Sequence, residues 1–66
     1  MEWLINKRLE ANLTQTEVAR KAKITVSHYN FIENHKRRPS PEVAKRIARI
    51  LGFEEEWYRL LDEKSA

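Results

Sequence analysis

The stretch Leu13-Thr14-Gln15-Thr16-Glu17-Val18-Ala19-Arg20-Lys21-Ala22-Lys23-Ile24-Thr25-Val26-Ser27-His28-Tyr29-Asn30-Phe31-Ile32-Glu33-Asn34 decides the fold. Thr14 followed three residues later by Glu17 is a capping box, in which each side chain satisfies the other residue's backbone N–H. Leu13 before the cap and Val18 at the fourth helical position fit a hydrophobic staple. Val18, Ala19 and Ala22 then form an apolar stripe, so the spacing predicts a helix over residues 15–22. Thr25 is a second N-cap, and a helix follows it to about residue 34. Only about three residues, Lys23-Ile24-Thr25, separate the two helices, which forces them to cross steeply.

The faces of the second of these helices differ in chemistry. Thr25, Tyr29, Ile32 and Glu33 fall together on the side that must be core. Ser27, Phe31 and Asn34 fall opposite, with His28 and Asn30 on the flanks. Two residues stand out. A lone carboxylate at Glu33 is costly on a core face and needs a cation, for which Arg8 is the candidate. Phe31 is either an isolated surface residue or an apolar contact for a partner. With Val26 it offers a surface suited to thymine methyl groups in a DNA major groove, beside the hydrogen-bonding groups of Ser27, His28 and Asn30.

Working outward, residues 3–11 read as a first helix, with Trp3, Leu4 and Arg8 in register. Ser40 caps a fourth helix, and Pro41 sits at its first position, where a missing N–H costs nothing. Val43, Ala44, Ile47, Ala48 and Leu51 recur at helical spacing and Gly52 stops the run. Lys45, Arg46 and Arg49 read as its solvated face. A last helix over residues 54–62 opens with three glutamates and carries Trp57, Leu60 and Leu61 for burial. The expected core includes Trp3, Tyr29 and Phe53. Trp57, Tyr58 and Leu61 either complete the core or pair two subunits.

Composition narrows the function. The chain has 66 residues, one domain's worth, and a chain of this size buries only about 60% of its unfolded surface. It has no cysteine, and its two histidines are too few for a structural metal site. No apolar run approaches a membrane span, and the N-terminus lacks the layout of a signal peptide, so the chain reads as cytoplasmic. Nothing points to a cofactor, a small-molecule substrate or an enzyme. Ser27 and His28 are adjacent on a helix and diverge, and no glycine-rich phosphate loop is present. The formal charge is only +3, but residues 20–49 hold nine bases against two acids, and residues 54–66 hold five acids against two bases. A basic middle and an acidic end suit a nucleic-acid partner on one side.

The quoted stretch, continued by His35-Lys36-Arg37-Arg38-Pro39-Ser40 and Ala44-Lys45-Arg46-Ile47-Ala48, resembles the Cro/repressor-type (XRE) helix-turn-helix domain over residues 4–61. The resemblance implies an all-α, compact five-helix, lambda-repressor-like DNA-binding domain, with the helix-turn-helix at about residues 15–34 of a single domain spanning 1–66. It implies a transcriptional regulator, a phage-type or mobile-element repressor, that binds a pseudo-palindromic operator as a homodimer. Helix 3 would enter the major groove. The base-reading set is then Val26, Ser27, His28 and Phe31. The phosphate-contacting set is Gln15, Thr25, Asn30, Asn34, Lys36, Arg37 and Arg38. Arg8 and Glu33 match a buried ion pair of the family, and Trp57, Tyr58 and Leu61 are the dimer candidates. Rival readings are an antitoxin or restriction-modification controller on the same domain, and a helix-turn-helix used to bind protein. The chain departs from the family where Lys23 and His35 stand at positions that usually carry glycine.

Overall fold

The computed structural model describes residues 1–61. Those residues form helices only: α1 (Glu2–Glu10), α2 (Gln15–Ala22), α3 (Val26–Glu33), α4 (Pro41–Leu51) and a 3-10 helix (Glu54–Leu61). The caps foreseen above are formed. Glu17 N donates to Thr14 Oγ1 at 3.1 Å, and Thr14 N donates to Glu17 Oε1 at 2.8 Å. These bonds hold the Glu17 carboxyl below the usual carboxylate range, the backbone N–H of Thr14 first among them. Thr25 Oγ1 accepts from His28 N at 3.0 Å, and Ser40 Oγ accepts from Val43 N at 3.2 Å.

The core is a cluster drawn from every helix. Leu4, Val18, Ala22, Tyr29, Ile32, Ala44, Ile47 and Ala48 are fully buried, with Leu51, Phe53 and Leu60 nearly so. Trp3 is only partly buried. Its ring meets Phe53 edge-on at 5.4 Å, and the Arg59 guanidinium lies 4.2 Å from its centroid. Such contacts add to plain burial, because the ring faces are electron-rich.

The last element differs from the sequence reading. It winds as a 3-10 helix and is interrupted at Glu56, where φ −117° and ψ 28° leave helical values. Phe53 is buried directly after the α4 turn, and its carbonyl accepts from Glu56 N at 2.8 Å, which starts the tighter winding. Trp57 and Leu60, three apart, superpose on a three-residue turn and face the core together. Asp62, assigned to this helix by the sequence, lies outside the described residues.

All four α-helices end in the same way. The left-handed residues are Asn12 (φ 59°), Lys23 (φ 63°), His35 (φ 61°) and Gly52 (φ 85°). Each is followed by an N–H that reaches back five residues: Leu13 to Arg8, Ile24 to Ala19, Lys36 to Phe31 and Phe53 to Ala48. This is the Schellman turn, and an apolar residue after the left-handed position seals it. Leu13, Ile24 and Phe53 fill that place. Only the fourth turn uses glycine. Asn tolerates the left-handed region, but Lys and His carry a Cβ against the following carbonyl, at about 1 kcal/mol each. Lys23→Gly and His35→Gly are each expected to raise Tm by about 4–8 °C, and Asn12→Gly by less. Calorimetry of the three variants checks that order.

Candidate nucleic-acid interface

The outward face of α3 carries Val26 and Phe31, which are 43% and 40% exposed, with Ser27 exposed between them. His28 and Asn30 are partly buried on the flanks, and Asn34 is exposed at the helix end. The loop beyond it holds Lys36, Arg37 and Arg38, all exposed, and Pro39, whose burial pins the loop to the body. Lys36 and Arg37 form no ion pair among the described residues. Gln15 opens α2 beside α3, because the Thr14 cap stops the chain there, and Thr25 caps α3 from the exposed side. One surface thus joins an apolar centre to a rim of donors and cations.

Behind this surface lies a polar cluster. Arg8 Nε donates to Glu33 Oε2 at 2.7 Å, and Arg8 Nη1 donates to the Leu13 carbonyl at 3.1 Å. Glu33 is only 2% exposed. Burial alone would push its carboxyl pKa up. Hydrogen bonds from Arg8 and from Gln15 outweigh burial, and the carboxyl stays below the usual carboxylate range. The same bond to Glu33 raises the pKa of Arg8. The Tyr29 hydroxyl is buried alongside. It lies near enough to favour the carboxylate's charge, yet falls short of hydrogen-bond geometry. Burial first, and then Glu33, push the Tyr29 pKa up.

Gln15 holds a place the sequence did not reveal. Its Nε2 donates to Glu33 Oε1 at 2.7 Å, and its Oε1 accepts from Asn30 Nδ2 at 3.3 Å. Asn34 Nδ2 donates to Asn30 Oδ1 at 3.2 Å and to the Asn30 carbonyl at 3.0 Å. Three residues read from sequence as separate contacts therefore form one network with the ion pair. Helical periodicity places Glu33 inside, but no signal along the chain marks Gln15 as its second donor.

The basic residues of α4 are more engaged than a solvated face requires. Arg46 donates to the Ala22 carbonyl at 3.3 Å and to Glu42 at 2.7 Å, so it ties α4 to the end of α2. Arg49 pairs with Glu54 at 3.1 Å, and the Lys45 ammonium sits 4.8 Å from the Trp57 ring centroid. The three basic side chains of α4 are thus all engaged within the chain. Among the dimer candidates, Trp57 and Leu61 pack against the core while Tyr58 is 57% exposed.

Helices α2 and α3 are thus joined by the three residues 23–25, with Val26, Ser27 and Phe31 of α3 exposed, and residues 4–58 match the helix-turn-helix family. The chain belongs to the XRE-type helix-turn-helix family. The chain is also similar to the uncharacterized HTH-type transcriptional regulator YqaF of Bacillus subtilis (strain 168), with 47% identity over 53 residues, 80% of this chain and 70% of that protein. No solved structure matches. Helix-turn-helix proteins of this kind are DNA-binding transcriptional regulators rather than enzymes. No helix among the described residues is long and apolar enough to cross a membrane.

Proposed function

We propose that the protein is a sequence-specific repressor that binds a pseudo-palindromic operator as a homodimer, with α3 in the major groove. The observation that carries this reading is the composition of one surface. Exposed Val26, Ser27 and Phe31, flanked by His28, face outward from α3, and Gln15, Thr25, Asn34, Lys36, Arg37 and Arg38 surround them. The centre reads base edges and thymine methyls. The rim contacts phosphates and fixes register. Exposed Tyr58, with Leu61 and Trp57 at the edge of the core, supports pairing through the last helix. Pairing would set half-sites roughly 34–36 Å apart. A domain seated on its operator blocks whatever else must touch that DNA, which is a sufficient means of repression.

In vitro selection followed by fluorescence anisotropy tests the reading. A selected duplex should bind at least about a thousandfold tighter than unrelated DNA. Equal affinity for every sequence, or no binding at low salt, removes it. Retained capture of a protein partner at high salt without DNA binding would favour an interaction module instead. Arg37→Ala should weaken specific and non-specific binding alike and reduce the slope of log K against log salt by about 1, because one phosphate contact is lost.

A further inference from the structure

The hydrogen bonds behind the recognition face run in one direction. Asn34 Nδ2 donates to Asn30 Oδ1, Asn30 Nδ2 donates to Gln15 Oε1, and Gln15 Nε2 donates to Glu33 Oε1, at 3.2, 3.3 and 2.7 Å. The last acceptor is an ionised carboxylate, which only accepts. That end dictates the orientation of every amide before it. Gln15 must turn its nitrogen to Glu33, which leaves its oxygen for Asn30. Asn30 must then turn its nitrogen to Gln15, which leaves its oxygen for Asn34. The charge buried between α1 and α3 thereby sets the polarity of groups at the surface.

Each amide nitrogen has two hydrogens. Gln15 uses one on Glu33, and the second has no protein acceptor among the described residues. A side chain held at one end swings about that bond. Gln15 is held at both ends, by Glu33 and by Asn30. We propose that Asn30 is a positioning residue for DNA backbone recognition: it fixes the Gln15 amide so that Gln15 presents its remaining N–H, a donor rather than an acceptor, to a phosphate. This rests on the DNA-binding reading above and changes one role expected from sequence. Asn30 acts through Gln15, and its own amide serves the relay rather than the phosphate.

A double-mutant cycle in DNA affinity separates the roles. Gln15→Ala should weaken binding to operator and unrelated duplex about fivefold, and Asn30→Ala about threefold, the scale of one hydrogen bond. The double variant should bind no more weakly than Gln15→Ala alone. Amides carry no charge and release no counterions, so the salt slope should stay unchanged in all three. Asn30→Asp gives a second arm. Aspartate only accepts and would draw the spare Gln15 N–H to itself, so its loss should exceed that of Asn30→Ala by more than it does in a Gln15→Ala background. Additive losses, meaning an independent phosphate contact by Asn30, would overturn the proposal. So would a lowered urea midpoint for Asn30→Ala with DNA affinity intact, which marks a merely structural residue. Alanine favours the helix, so the variant should fold. If it did not, replacing each operator phosphate in turn by methylphosphonate still tests the relay in the native protein. One position should cost affinity in the native protein and none in Gln15→Ala, and the absence of such a position overturns the proposal. If the native protein binds no duplex at about 50 mM salt, both readings fall; if it binds and the cycle is additive, the relay alone falls.

Discussion

Arg8→Ala is expected to remove most of the domain's stability, about 3–5 kcal/mol. A chain of this length holds about 3–10 kcal/mol in all, so much of the variant should be unfolded at ordinary temperature. The cause is the carboxylate left behind. Glu33 is nearly inaccessible, and without Arg8 it keeps only Gln15 as a full hydrogen-bond donor. Removing one partner of a buried pair is worse than removing both, so Arg8→Met combined with Glu33→Leu should recover most of the loss. The pH dependence should also change sign. In the native protein the Glu33 pKa is depressed, so its contribution is present above the ordinary carboxylate pKa and fades as pH falls through the lower folded value. In Arg8→Ala burial dominates and raises that pKa. The variant should then gain stability as pH falls from 7 toward about 4.5, because protonation relieves the buried charge. Urea titrations at the two pH values check this. A variant whose stability does not rise between these two pH values would show that Gln15 and Tyr29 suffice to hold the charge.

Phe31→Ala should lower operator affinity about tenfold and leave binding to unrelated DNA nearly unchanged. An alanine methyl at this position does not reach as far into the groove, while every phosphate contact is retained. The salt slope should therefore stay that of the native protein, in contrast to Arg37→Ala. Changing one operator thymine to uracil removes a single methyl group and nothing else on that edge. At the position Phe31 reads, the native protein should lose affinity on that change and Phe31→Ala should not. If Phe31→Ala and Arg37→Ala weakened both kinds of DNA alike, the division between reading centre and phosphate rim would be wrong.

The helix ends were legible because their chemistry is local. Thr14 with Glu17, Ser40 with Pro41, and Gly52 each specify a boundary within a few residues, and the helices begin and end there. The inward position of Glu33 was legible too, because helical periodicity leaves it beside Tyr29 and Ile32. What stayed hidden depends on distance in space rather than along the chain. Gln15 and Glu33 are 18 residues apart, and nothing in either one's neighbourhood announces their bond. Arg46 looked solvated because its face is polar, while its partner, the Ala22 carbonyl, is a backbone atom that no residue type reveals. The 3-10 winding after Gly52 also escaped, since it follows from burying Phe53 and not from the helix-forming residues that come next.

The left-handed turns at Lys23 and His35 bear on the time a molecule survives in a cell. Each narrows the gap between folded and unfolded forms, and one or two kcal/mol changes the unfolded fraction by about 5–30-fold. Proteases act on that fraction. On the proposed reading, a regulator with such turns is cleared sooner after synthesis stops, and its operator is vacated sooner. Glycine at both places would leave the DNA face as it is and lengthen the protein's memory of its own expression.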